Sequence, residues 1–155
     1  MVASVAACSA DASALPPDGA LMAVQSRGGM CIEGACESTI YVERNGLVHM
    51  AAKQPNELGI VPAEAMAELE RQLALANFDE LLSHSFTGTC PTAVDGQELV
   101  FEFAAADGVQ RIESCQVEVD YSTPLFAAVV NAVGQFIGFA SDGVVIDAEP
   151  PDVNR

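Results

Sequence analysis

Ser38-Thr39-Ile40-Tyr41-Val42-Glu43-Arg44-Asn45-Gly46-Leu47-Val48-His49-Met50-Ala51-Ala52 reads as a β-hairpin. Its first run alternates and is rich in β-formers, Arg44-Asn45-Gly46 is the turn, with Asn45-Gly46 supplying the positive φ angles a tight hairpin needs, and the second run returns beside the first. A polar connection from Lys53 to Gly59 leads to a helix. Pro62 opens that helix, Glu64 favours the positive end of its dipole, and Met66, Leu69, Leu73 and Ala76 recur at three and four residues to make a core face. Glu68 and Arg71 can pair on the opposite side, and Phe78, Leu81 and Leu82 predict a second short turn of helix.

The same order then recurs. Glu98-Leu99-Val100-Phe101-Glu102-Phe103-Ala104 alternates strictly, placing Leu99, Phe101 and Phe103 on a core face and Glu98, Val100 and Glu102 on the other. Ala105-Ala106-Asp107-Gly108 turns the chain, and Val109 to Val119 returns with room for a bulge. Thr123 is placed to cap a helix entered at Pro124, whose Leu125, Phe126, Val129, Val130, Val133 and Ile137 form a broad apolar stripe. The expected fold is therefore α+β: two ββα units forming a four-stranded, mainly antiparallel sheet packed against helices and stapled by disulfides. Leu21 to Gln25 reads as a short strand leading into Arg27-Gly28-Gly29, and Val144-Val145-Ile146 as a short edge strand.

Composition limits what such a domain does. The chain has 155 residues, half of them hydrophobic, with 22 acidic against 6 basic side chains and a net charge of −16. Half-apolar composition excludes a generally disordered chain, and no run approaches the roughly 18 apolar residues that a membrane span requires. The charge disfavours nucleic acid and anionic lipid surfaces, and suits either simple solvation or a cationic partner.

Of five cysteines, Cys8 stands apart. Met1 to Ala10 resembles the tail of a bacterial lipoprotein signal, with Val5-Ala6-Ala7 before a lipidated Cys8, although the charged start and longer apolar core of that pattern are absent. The Pro/Ala/Ser-rich stretch that follows reads as a tether, giving an expected organisation of 1–20 signal remnant and tether, 21–146 one domain, and 147–155 acidic tail. The expected location is extracytoplasmic, in the cell envelope, with the membrane engaged only through Cys8. Cys31, Cys36, Cys90 and Cys115 then remain for two disulfides. Cys31–Cys36 can close a small loop around Gly34, and Cys90–Cys115 is the natural second bond; a cross-link between the two cysteine blocks is the alternative, since four cysteines allow three pairings. His49 and His84 sit at no zinc-knuckle spacing from the thiols, and no twelve-residue Asp-rich calcium loop is present, so no metal or other cofactor is expected.

The layout resembles the DUF6438-like family of bacterial envelope proteins. The resemblance rests on Gly28-Gly29-x-Cys31-x-x-Gly34-x-Cys36 leading into the Asn45-Gly46 hairpin, the helix ending near Phe78, and the later hairpin followed by the Pro124 helix, over roughly Val24 to Phe136. Glu37 follows Cys36 where the family commonly has proline, and the Cys-Pro pair here is Cys90-Pro91. The resemblance implies an envelope location and no catalytic residue.

Three functions compete. The first is a non-enzymatic, lipid-anchored domain binding an envelope protein or peptide, through an open sheet face with Tyr41, Glu43, Val100 and Glu102, or through the loops held by the cysteines; Tyr41, Glu43, His84, Phe86 and Asp95 form its candidate surface. The second is a hydrolase using His84 with Asp79, Glu80 or Asp95, which predicts His84 in a concave site within hydrogen-bonding reach of a carboxylate. Ser85 lacks the Gly-x-Ser-x-Gly turn of an exposed nucleophile. The third is a purely structural acidic exported domain.

Overall fold

The computed structural model describes Leu15 and residues 19–29, 37–51 and 56–137. Six strands, β1 (Ala20–Arg27), β2 (Glu37–Glu43), β3 (Leu47–Met50), β4 (Asn56–Ile60), β5 (Glu98–Ala105) and β6 (Gly108–Glu113), form one sheet in the order β4-β3-β2-β1-β5-β6. Every neighbouring pair is antiparallel. The expectation of a four-stranded sheet from two ββα units is overturned by β1 and β4.

The two expected hairpins exist, as β2–β3 and β5–β6, but they do not meet. β1 lies between them, pairing Val24 with Ile40 on one side and with Phe101 on the other. A central strand covered on both faces has no need of alternation, and Ala20-Leu21-Met22-Ala23-Val24 is a continuous buried apolar run. β4 hides in the polar connection for the opposite reason: an edge strand carries little burial to pattern it, and Gly59 punctuates it.

The β2–β3 turn falls where expected and differs only in the backbone of Asn45. Among the described residues, only Gly46 of its loop has positive φ (+88°), the Gly46 N–H donates to Glu43 O at 2.9 Å, and the Leu47 N–H donates to Asn45 Oδ1 at 2.9 Å. The loop is the expected Arg44-Asn45-Gly46, with glycine alone at the left-handed position where positive φ was expected at Asn45 as well.

Helices α1 (Ala63–Leu75), α2 (Phe78–Ser83) and α3 (Pro124–Val133) pack on one face. α1 buries Ala65, Met66, Leu69 and Leu73, and Glu68 and Arg71 pair at 2.7 Å on its outer side. α3 buries Leu125, Phe126, Val129 and Val133 of its expected stripe, with Val130 half-buried. Thr123 precedes Pro124 at the N-cap position, but its hydroxyl donates to Asp120 O at 2.7 Å and does not cap the helix. Aromatic contacts join the layers: Phe101 meets Phe126 edge-on at 5.3 Å, and Phe78 approaches Phe103 at 5.8 Å.

β6 stops at Glu113, short of the expected Val119. The Gln116 and Val117 N–H groups both donate to Glu113 O at 2.9 Å, turning the chain so that Cys115 bonds Cys90, with Cα atoms 5.2 Å apart. Cys8, Cys31 and Cys36, the Val144–Ile146 run and the acidic tail lie outside the described residues. No helix among the described residues is long and apolar enough to cross a membrane.

Candidate functional site

A cleft of about 270 Å³ opens where the end of α1, α2 and the entry to α3 converge. Local chemistry fixes each wall. Ala76 takes an extended conformation that stops α1, and Asn77 restarts the helix by accepting the Glu80 N–H on its Oδ1 at 3.2 Å. Across the cleft, Phe86 N–H donates to Gln116 O at 2.9 Å and Glu118 N–H to His84 O at 2.8 Å, around an antiparallel bridge between Ser85 and Val117. This pairing brings His84 beside Glu118. Asp120 accepts both the Ser122 hydroxyl at 2.6 Å and the Ser122 N–H at 2.8 Å, bending the chain into α3. The hydroxyl bond, more than the amide, holds the Asp120 carboxyl below its ordinary value.

Leu81, Leu125 and Phe126 contribute apolar walls, while Glu80, Glu118 and Asp120 contribute three carboxylates. Leu75, another lining residue, is 67% exposed. Tyr121 packs edge-on against Phe126 at 6.0 Å, and burial pushes its hydroxyl up to about 12, so it stays neutral across physiological pH.

His84 lines this cleft as an exposed residue, and its side chain makes no hydrogen bond or ion pair among the described residues. Glu80 and Glu118 share the cleft with it, yet neither orients its imidazole. Asp95 does not line the cleft; it ends the short 3₁₀ turn Pro91–Val94 in a left-handed conformation at φ 63°. Ser85 is engaged in the bridge to Val117. The described residues therefore assemble no Ser–His–Asp arrangement. Phe86 is half-buried, with its ring against Gly88, and is not part of the cleft.

Tyr41 and Glu43 lie elsewhere, on the sheet face opposite the helices. His49 joins them: its ring stacks on Tyr41 at 5.2 Å, and its Nε2 lies 3.0 Å from Glu43 Oε1. That contact is close but misaligned, and neither buried ring nitrogen makes a hydrogen bond of good geometry among the described residues. The signal for the grouping was present in the hairpin register, which sets Tyr41 opposite His49.

The same face corrects a second expectation. Val100 and Glu102, expected at the surface, are each 1% exposed. Glu102 belongs to a chain of ion pairs that sequence reading missed. Arg27 Nε lies 2.8 Å from Glu98 and its Nη2 2.6 Å from Glu113, while Arg111 bonds Glu113 at 2.9 Å and Glu102 at 2.7 Å. Its signal was the spacing of Arg111 and Glu113, two apart on a strand, opposite the alternating acids of β5. The hydrogen bond to Glu98, foremost, raises the Arg27 pKa further. Burial acts to raise the Glu113 carboxyl, but hydrogen bonding from Arg111 and the charges of Arg27 and Arg111 outweigh it and hold the group below its ordinary value.

No group of three or more side chains suited to holding a metal ion occurs among the described residues. Comparison with family models, with curated proteins and with solved structures returns no match.

Proposed function

We propose that this chain is a non-enzymatic, exported domain of the cell envelope, lipid-anchored at Cys8, that binds a protein or peptide segment through the cleft between α1, α2 and the entry to α3. The observation that carries the reading is the combination of apolar walls at Leu81, Leu125 and Phe126 with the carboxylates of Glu80, Glu118 and Asp120. An apolar surface edged by carboxylates, on a chain of net charge −16, complements a segment that presents apolar side chains together with lysine or arginine. The hydrolase alternative lacks an oriented base, since His84 has no carboxylate partner among the described residues.

Calorimetric titration with two amphipathic helical peptides, identical except for Lys or Glu on the polar face, tests this reading. The Lys peptide binds, the Glu peptide does not, and Leu81→Asp or Glu118→Lys weakens binding at least tenfold. Equal binding of both peptides, or indifference to both substitutions, rejects the cleft as the site. Lipidation is tested separately, by metabolic labelling with an alkyne fatty acid that marks the native chain and not Cys8→Ser.

A further inference from the structure

We infer that the sheet face opposite the helices contains, at Glu102, a seat for a peptide backbone, and that this chain occupies it at Leu15. The face is defined by register. His49, Tyr41, Ala23, Glu102 and Arg111 follow one another across β3, β2, β1, β5 and β6. All three helices pack on the other side of the sheet, yet Ala23 and Glu102 are each 1% exposed.

Leu15 lies against this row. Its backbone N–H donates to Glu102 Oε2 at 2.7 Å, across 87 positions of sequence, and the residue is itself half-buried. The other carboxylate oxygen, Oε1, takes Arg111 Nη1 at 2.7 Å. Arg111 is in turn fixed by Glu113, so the acceptor offered to Leu15 is held in place before the segment arrives. A buried carboxylate that divides its oxygens between a guanidinium and a backbone amide reads the backbone of whatever lies on it, and requires only a free N–H there. Glycine and alanine neighbours are not needed for this; Ala23, beside Glu102 in the same row, keeps the surface low enough for a chain to cross. This seat is separate from the α1–α2–α3 cleft and does not depend on its function.

A fluorescein-labelled peptide with the sequence of residues 11–19 tests the seat in trans, measured by anisotropy against the full native chain and the full Leu15→Pro chain. Proline at position 15 removes the N–H that Glu102 accepts, so the internal segment leaves and the labelled peptide binds this variant at least tenfold more tightly than the native chain. Equal affinity for both chains, or binding to neither, overturns the proposal. Amide hydrogen exchange in the native chain gives a readout independent of that variant's folding. The Leu15 N–H exchanges at least 100-fold more slowly than in the free peptide; exchange at the free-peptide rate overturns the proposal as well.

Discussion

Arg111 Nη1 lies 2.7 Å from Glu102 Oε1, in a pair whose carboxylate side chain is 2% exposed and whose guanidinium side chain is 22% exposed. The asymmetry decides which partner can be removed. Arg111→Met removes this counter-charge from a buried carboxylate, a change that costs about 3–5 kcal/mol for fully buried pairs. Because Arg111 retains some contact with solvent, about 3 kcal/mol is expected. The double variant Glu102→Leu with Arg111→Met recovers most of that loss, since an apolar pair of similar volume suits the site. Urea unfolding of both single variants and the double variant measures the coupling.

Glu113 makes the same network sensitive to acid. Its folded pKa lies below the ordinary 4.5, so the unfolded chain binds a proton more readily than the folded one. The stability this contributes is fully present above the ordinary value and is lost as pH falls through the lower folded value. Urea midpoints measured from pH 6 to pH 3 therefore decline below about 4.5, and the decline is shallower in Glu113→Gln. Parallel acid limbs in the two proteins assign the decline to other carboxylates.

The disulfide contributes through the unfolded state. Cys90 and Cys115 are separated by 25 positions, and closing a loop of that length restricts the unfolded chain by about 3.5 kcal/mol on the chain-entropy model. The Cys90→Ser, Cys115→Ser variant unfolds at correspondingly lower urea, and non-reducing peptide mapping of the native protein recovers the Cys90–Cys115 pair.

How much of this was legible depended on where each strand lies in the sheet. β5 was recognised as a strand because its Leu99, Phe101 and Phe103 alternate with acids, but the face carrying Val100 and Glu102 is buried where the sequence predicted a surface. β1 carries no such mark: it is central and buried on both faces, so its apolar run resembled a lead-in rather than the strand that joins the two hairpins. The paired helix face of α1 was equally plain from its period. His84 was visible as a chemically interesting residue, but its neighbours Glu118 and Asp120 come from a segment more than 30 positions away, brought in by the Ser85–Val117 bridge. Arg27 was seen only as part of a glycine turn, because its partners Glu98 and Glu113 are supplied by strands that adjacency in sequence does not reveal.

Gly28 marks the junction between β1 and the disulfide loop. Its φ is +88°, and a Cβ there would lie 2.5 Å from Thr92 Cγ2 and 3.2 Å from Gly96 O. Gly28→Ala thus combines a left-handed backbone with a side-chain collision, for an expected loss of at least about 2 kcal/mol. Adding Thr92→Ser removes the colliding methyl while keeping a hydroxyl near Cys90, and restores part but not all of the loss. Complete restoration would show that the backbone conformation carries no strain.

Tyr121 reports on the cleft through Phe126, a wall residue against which its ring packs. The residue is 38% exposed, its ring packs edge-on against Phe126, and the partial loss of solvent around its hydroxyl raises the pKa to about 12. Absorbance titration in the alkaline range therefore shows a tyrosine ionising near that value, and Tyr121→Phe removes the transition. A cationic amphipathic peptide seated over Leu125 and Phe126 further shields the neighbouring ring from solvent, so saturating peptide moves this transition, whereas binding elsewhere leaves it in place. His84→Ala provides the control for the wall: an exposed side chain without a bonded partner changes stability by no more than about 0.5 kcal/mol. A Tyr121 transition that does not respond to peptide, in a chain that still binds it, moves the binding site away from the α1–α2–α3 cleft.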